Sequence, residues 1–176
     1  MNSPSRKAGK PGRFAARDMV LLAAFAALMV AGQVALAVIP NVEVVSLLVI
    51  VCALTFGARS LLAVYAFVAA EAMIYGFGLW VINYMYIWAL LAVVSILLRR
   101  VEGRLLWALI SGLYGLMFGA LCAIPYLFIG GMKMAFSYWA AGIVFDLIHA
   151  AGNFVTALVL IEPLMKVTGR LVCRSY

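Results

Sequence analysis

Six apolar runs, covering roughly residues 19 to 39, 42 to 58, 61 to 79, 82 to 98, 105 to 125 and 138 to 162, follow one another with only short breaks between most of them. Each is near the length that an α-helix needs to cross about 30 Å of hydrocarbon. Lipid offers no partner for a backbone N–H or C=O, so a chain built this way has to satisfy those groups within each segment, which only a helix does. The sequence is therefore read as an all-α integral membrane protein with six transmembrane helices. Composition agrees: 68% of the 176 residues are hydrophobic and 11% are charged, where a soluble domain carries about a quarter charged residues. The first run has no small-residue cleavage site after it and is followed by equally apolar runs, so it is expected to stay as a helix rather than leave as a signal peptide. The second run is short. The segment 126 to 137, which holds Gly130, Gly131 and Lys133, is the longest break, and five spans with a re-entrant piece is the alternative arrangement.

The cations order these spans. Residues 1–17 carry Arg6, Lys7, Lys10, Arg13 and Arg17 among Pro, Gly and Ser, a polar tail without the apolar surface to fold alone. Residues 18–165 form the transmembrane domain, and residues 166–176, with Lys166, Arg170 and Arg174, form a second basic tail. If the N-terminus is inside, both tails and the connections holding Arg59, Arg99, Arg100 and Arg104 lie in the cytoplasm, and only Lys133 lies outside. The positive-inside rule thus predicts six spans with both the N- and C-termini cytoplasmic, and the net charge of +7 is read as topology. A nucleic-acid surface is not indicated, because no soluble domain would present the charge. Cys52, Cys122 and Cys173 are odd in number and far apart, which suggests neither a disulfide framework nor a zinc cluster.

Against this background the buried polar residues stand out. Glu71 and Asp146 each sit well inside an apolar run, where a charge costs roughly 2.5 to 3.5 kcal/mol on the lenient insertion scale. At 100° per residue, Asp146, His149 and Asn153 share one helical face. With the orientation above, Glu71 and Asp146 each lie about 12 Å below the outer boundary, so a shared pocket is geometrically possible. The outer connections add Asn41 and Glu43, then Tyr75, Trp80, Asn83 and Tyr84. Aromatic faces beside carboxylates and amides suit a flat, nitrogen-rich ring. Glu71, Asp146, His149, Asn153, Asn83, Trp80, Tyr84, Tyr75, Asn41 and Glu43 are therefore the candidate substrate-binding residues, with no cofactor. A structural Glu71–His149 pair, a proton relay or a metal site would use the same residue types, although one His and two acids without Cys make a weak metal set.

Nothing in the chain supplies energy, since no Gly-x-x-x-x-Gly-Lys-[Ser/Thr] loop is present. Small residues offer two helix-packing surfaces. Ala23, Ala27, Ala31 and Ala35 recur at four-residue spacing in the first run, and Ala108, Gly112, Gly115 and Gly119 form a stripe in the fifth, the latter read as packing inside the bundle.

Small size, six spans, the Ala23-to-Ala27 stripe continuing to Ala31, and polar and aromatic groups facing outward resemble a substrate-specificity (S) component of an energy-coupling factor transporter. The stretch Ile39-Pro-Asn-Val-Glu-Val-Val-Ser-Leu-Leu, then Glu71-Ala-Met-Ile-Tyr-Gly-Phe-Gly-Leu-Trp and Asn83-Tyr, carries the likeness further, over about residues 18 to 165. The resemblance implies a bacterial cytoplasmic membrane protein that captures a vitamin or related heterocycle from outside. It also implies partners: a coupling transmembrane protein, met by Ala23, Ala27 and Ala31, and two ABC ATPases. It further implies a pocket closed by the connection Pro40 to Glu43. Relatives that take nickel or cobalt carry a His near a processed N-terminus, whereas the only His here is His149. Three acids against one Lys133 favour a neutral or cationic solute over a dianion. A proton-coupled secondary carrier of a small polar or cationic solute is the rival function, and an intramembrane enzyme a third.

Overall fold

The computed structural model describes residues 16–39 and 42–173. Apart from Ala16 and Arg17, the basic arm expected at the N-terminus lies outside the described residues, as do Pro40 and Asn41. The regular structure among the described residues is entirely helical: α1 (Ala16–Leu36), α2 (Val45–Phe56), one 3-10 turn (Gly57–Arg59), α3 (Ser60–Tyr75), α4 (Leu79–Leu97), α5 (Arg104–Cys122) and α6 (Ile124–Cys173). Five stretches are long and apolar enough to cross a membrane, and one of these, Val45–Tyr75, contains α2, the turn and α3 together.

The chain doubles back within that stretch. Arg59, in the turn, binds Asp18 at the start of α1 with an N–O distance of 2.8 Å, while the residues just before α2 and the end of α3 both meet the end of α1 around one cavity. Gly57 makes the reversal possible, because its φ of 58° and ψ of −137° fall where a side chain would be strained. The two ends of the bundle can therefore be distinguished as the cavity end and the Arg59 end.

α2 is the central element. Every residue from Val45 to Ala53 is buried, and the helix packs against α1, α3, α4 and α6. A helix that is apolar on all faces has no side to give to water, and here all its sides are taken by protein. With 12 residues it is only about 18 Å long. On α1, by contrast, Leu22, Phe25, Ala26 and Met29 turn inward, while Ala23, Ala27 and Ala31 are exposed on the outside of the bundle.

α5 and α6 form an antiparallel hairpin whose closeness rests on glycine. A Cβ at Gly115 would lie 2.9 Å from the backbone of His149 and Ala150, and one at Gly112 would lie 3.2 Å from the Cβ of Phe154. The stripe expected to pack inside the bundle does so, with Ala108 fully buried at its far end. Without a hydrophobic drive between helices in lipid, such backbone contact is a main source of association. The break expected over 126 to 137 is mostly helical. The ladder continues from α5 through Ala123 N–H to Gly119 C=O at 2.9 Å, and the reversal is confined to Gly130 and Gly131, where Gly131 has φ 70°. Tyr126 and Tyr138 stack across it with ring centroids 4.3 Å apart. At the other end α6 runs on through Lys166 and Arg170 to Cys173, so the residues assigned to a second basic tail are helical as far as Cys173.

The glycine seam gives a direct test. Gly115→Ala is expected to destabilise the protein by about 1–3 kcal/mol, because backbone rather than a flexible side chain has to move. Gly142→Ala, with nothing within 4 Å of the added Cβ, is expected to be neutral or slightly stabilising. Thermal unfolding of both variants in the same detergent checks the contrast.

Candidate functional site

Glu71 is the most deeply buried acid, 1% exposed, and it opens onto a cavity of about 460 Å³. That volume lies within the range of small-molecule sites. Five elements build it: α1 and the connection after it contribute Gln33, Leu36, Ala37, Ile39, Val42 and Glu43; α3 contributes Glu71 and Tyr75; α4 contributes Trp80, Tyr84 and Trp88; α5 contributes Phe118; and α6 contributes His149.

The four-residue spacing of Trp80, Tyr84 and Trp88 places their rings on one face of α4, since i and i+4 are neighbours on a helix. The rings meet edge to face, with centroids 5.2 Å apart for Trp80 and Tyr84 and 5.5 Å for Tyr84 and Trp88. Trp88 then contacts Phe118 at 5.7 Å, and Phe118 meets the imidazole of His149 at 4.7 Å. The aromatic wall therefore runs without a gap from Trp80 to His149.

Polar groups are set into this wall at a few points. His149 Nε2 lies 3.1 Å from Glu43 Oε1. The other oxygen of the same carboxylate, Oε2, accepts the Ser46 N–H at 2.8 Å, satisfying one of the donors left open at the start of α2. Gln33 Nε2 donates to the Tyr84 hydroxyl at 2.9 Å. Two polar atoms of the lining side chains, Glu71 Oε1 and Trp88 Nε1, are buried without a hydrogen-bond partner among the described residues. A buried donor or acceptor left unmatched costs about 1–3 kcal/mol, and both atoms are closed off from solvent.

The structure does not bring all the candidate residues together. Glu71, His149, Glu43, Tyr75, Trp80 and Tyr84 line the cavity, and Asn41 lies outside the described residues. Asp146, Asn153 and Asn83 are buried elsewhere. Asp146 shares the inward face of α6 with His149, but its carboxylate turns towards α5, where Oδ1 accepts the Gly119 N–H at 2.8 Å. The pocket geometrically possible between Glu71 and Asp146 is thus replaced by one between Glu71, Glu43 and His149. Asn153 donates to Ser46 Oγ of α2 at 3.1 Å, and Asn83 Oδ1 lies 3.1 Å from the Tyr86 hydroxyl. Asp146 and Asn153 thus tie α6 to α5 and to α2, whereas the contact of Asn83 stays within α4.

Seven lining residues have no place among the candidates: the aliphatic Leu36, Ala37, Ile39 and Val42, and Gln33, Trp88 and Phe118. Gln33 is the one amide in the first apolar run, a signal of the same kind as Asn153, and Trp88 completes the i, i+4, i+8 series begun by Trp80 and Tyr84. Phe118 carries no such signal. Among the described residues no three His, Cys, Asp or Glu side chains converge as ligands to a metal ion would. Cys52 and Cys122 are buried and unbonded.

Glu43 holds two structures with one carboxylate. Glu43→Ala is expected to raise the hydrogen-exchange rate of the Ser46 amide by about fivefold to thirtyfold, matching the roughly 1–2 kcal/mol of a lost cap, whereas Glu43→Gln, which keeps an acceptor oxygen, is expected to change it less. Exchange measured by mass spectrometry on peptides covering residues 42 to 50 reads the difference. Comparison with protein-family models, with curated proteins and with solved structures gives no match for this chain.

Proposed function

We propose that this chain is the membrane-embedded substrate-binding subunit of an energy-coupling factor importer, capturing a vitamin or related heterocyclic micronutrient from outside the cell. The observation that carries the reading is the cavity, which combines an aromatic wall with a pair of carboxylates and an imidazole. A site of that kind fixes a flat, polar heterocycle by stacking and by directional hydrogen bonds.

The topology belongs to the same proposal: six transmembrane helices, both termini cytoplasmic and the cavity opening outward in a bacterial cytoplasmic membrane. The reversal at Gly57–Arg59 supports six spans over five, because α2 and α3 run in opposite directions. Orientation is supported by charge. Arg59 pairs with Asp18 at the end away from the cavity, and Arg99 and Arg104 lie together beside Glu162 near the start of α5, as the positive-inside rule asks of a cytoplasmic face.

Coupling to a transmembrane partner and two ABC ATPases is supported by the exposed Ala23, Ala27 and Ala31 of α1, a smooth strip facing away from the bundle. Small residues on an outer face let another helix approach closely. The rival, a proton-coupled carrier, draws on the Glu43–His149 contact as a site for a proton.

Two outcomes are expected. Native mass spectrometry of protein purified from cells grown in rich medium finds one small solute bound, and Ala27→Trp abolishes co-purification of the two ATPases while leaving that solute in place. Uptake by proteoliposomes holding this chain alone, driven by a pH gradient without ATP, would instead establish the carrier.

A further inference from the structure

The cavity wall holds acids without a permanent cation. Among the described residues that line it, the carboxyl and imidazole side chains are Glu43, Glu71 and His149, and neither Lys nor Arg is present. Glu43 is already matched, with one oxygen against His149 Nε2 and the other on the Ser46 N–H. A protonated His149 makes that pair neutral, and a neutral His149 leaves it negative, so in neither state does it favour an anion. Glu71 has no such partner: Oε1 is without a hydrogen bond and no cationic side chain lies within 4.0 Å of the carboxylate among the described residues.

An ionised carboxylate taken out of water costs several kcal/mol unless an opposite charge joins it. The surrounding rings act in the same direction, because the faces of Trp and Tyr are negative and attract a cation within about 6 Å of the centroid.

From this geometry we propose that the solute is a small organic monocation, an aromatic or otherwise flat molecule whose single positive nitrogen group, amidinium, ammonium or azolium, pairs with Glu71 among Trp80, Tyr84 and Trp88. The inference rests on the reading of the cavity as a solute site and narrows it: neutral heterocycles and anions are excluded as the preferred solute. One charge rather than two follows from the count, since only one carboxylate in the cavity is unmatched.

Three isosteric probes test this: 4-hydroxybenzamidine (a cation at pH 7), 4-hydroxybenzamide (neutral) and 4-hydroxybenzoate (an anion), titrated against the full chain in nanodiscs and read by tryptophan fluorescence and calorimetry. The expected result is that the amidine binds at least about tenfold more tightly than the amide, a difference of roughly 1.4 kcal/mol, and that the benzoate does not bind. In Glu71→Gln the preference for the cation is expected to fall to within about threefold, and in Glu71→Asp, which keeps the charge, it is expected to persist. The wild-type comparison stands even if a variant fails to fold.

Equal binding of amide and amidine, or a preference that survives Glu71→Gln, overturns the assignment, and so does wild-type protein that binds none of the three. Native mass spectrometry separates this failure from failure of the broader reading. A neutral or anionic solute held by the wild-type protein keeps the site and removes the cation, whereas wild-type protein with no solute removes both.

Discussion

The contact of α5 with α6 at Gly112, Gly115 and Gly119 sets the position of nearly everything else on the cavity side. Because no Cβ intervenes, the backbone of α6 at His149 and Ala150 lies against α5, and the azimuth of α6 is fixed to within the tolerance of a backbone contact. Asp146, His149 and Asn153 then have no choice of direction. Asp146 closes on the Gly119 N–H, His149 reaches Glu43, and Asn153 reaches Ser46, so one helix face is read out by α5, by the connection before α2, and by α2 itself. A larger residue in the seam would move all three contacts together.

The apolar pattern made the helices legible, and their number was less so. Long hydrophobic runs report that a segment can live in lipid, and the runs from 82 to 98 and 105 to 125 agree closely with α4 and α5. The signal is faint where helices meet without a polar linker: the passage from α2 to α3, between the runs ending at 58 and beginning at 61, is marked by Gly57 and Arg59 alone. At 126 to 137 it misleads: polar and glycine residues suggest a long break, yet two glycines suffice for the reversal because a φ of 70° at Gly131 turns the chain within one residue.

The site was legible in its chemistry and less so in its pairing. Cost of burial picked out Glu71, Asp146, His149 and Asn153, all of which are buried. Helical spacing also placed the last three on one face. Spacing cannot tell which neighbour that face meets, because this depends on the distance between helices, and here a glycine at position 119 draws the Asp146 carboxylate away from the cavity. Gln33 was hidden for a related reason: a single amide in the first run has no partner in the sequence to draw attention to it, and its role comes from Tyr84, which lies 51 residues away.

The shortness of α2 has a consequence for where the cavity can exist. Its neighbour α4, with 19 residues, is about 28 Å long, whereas α2 reaches only about 18 Å. Starting from the Arg59 end, the central column of the bundle therefore stops roughly two turns short. Glu43 caps it there, and Leu36, Ala37, Ile39 and Val42 arch over the gap. The space that a longer central helix would fill is the cavity lined by Glu71 and His149. The residue at which α2 begins therefore sets how much of the bundle's centre stays open.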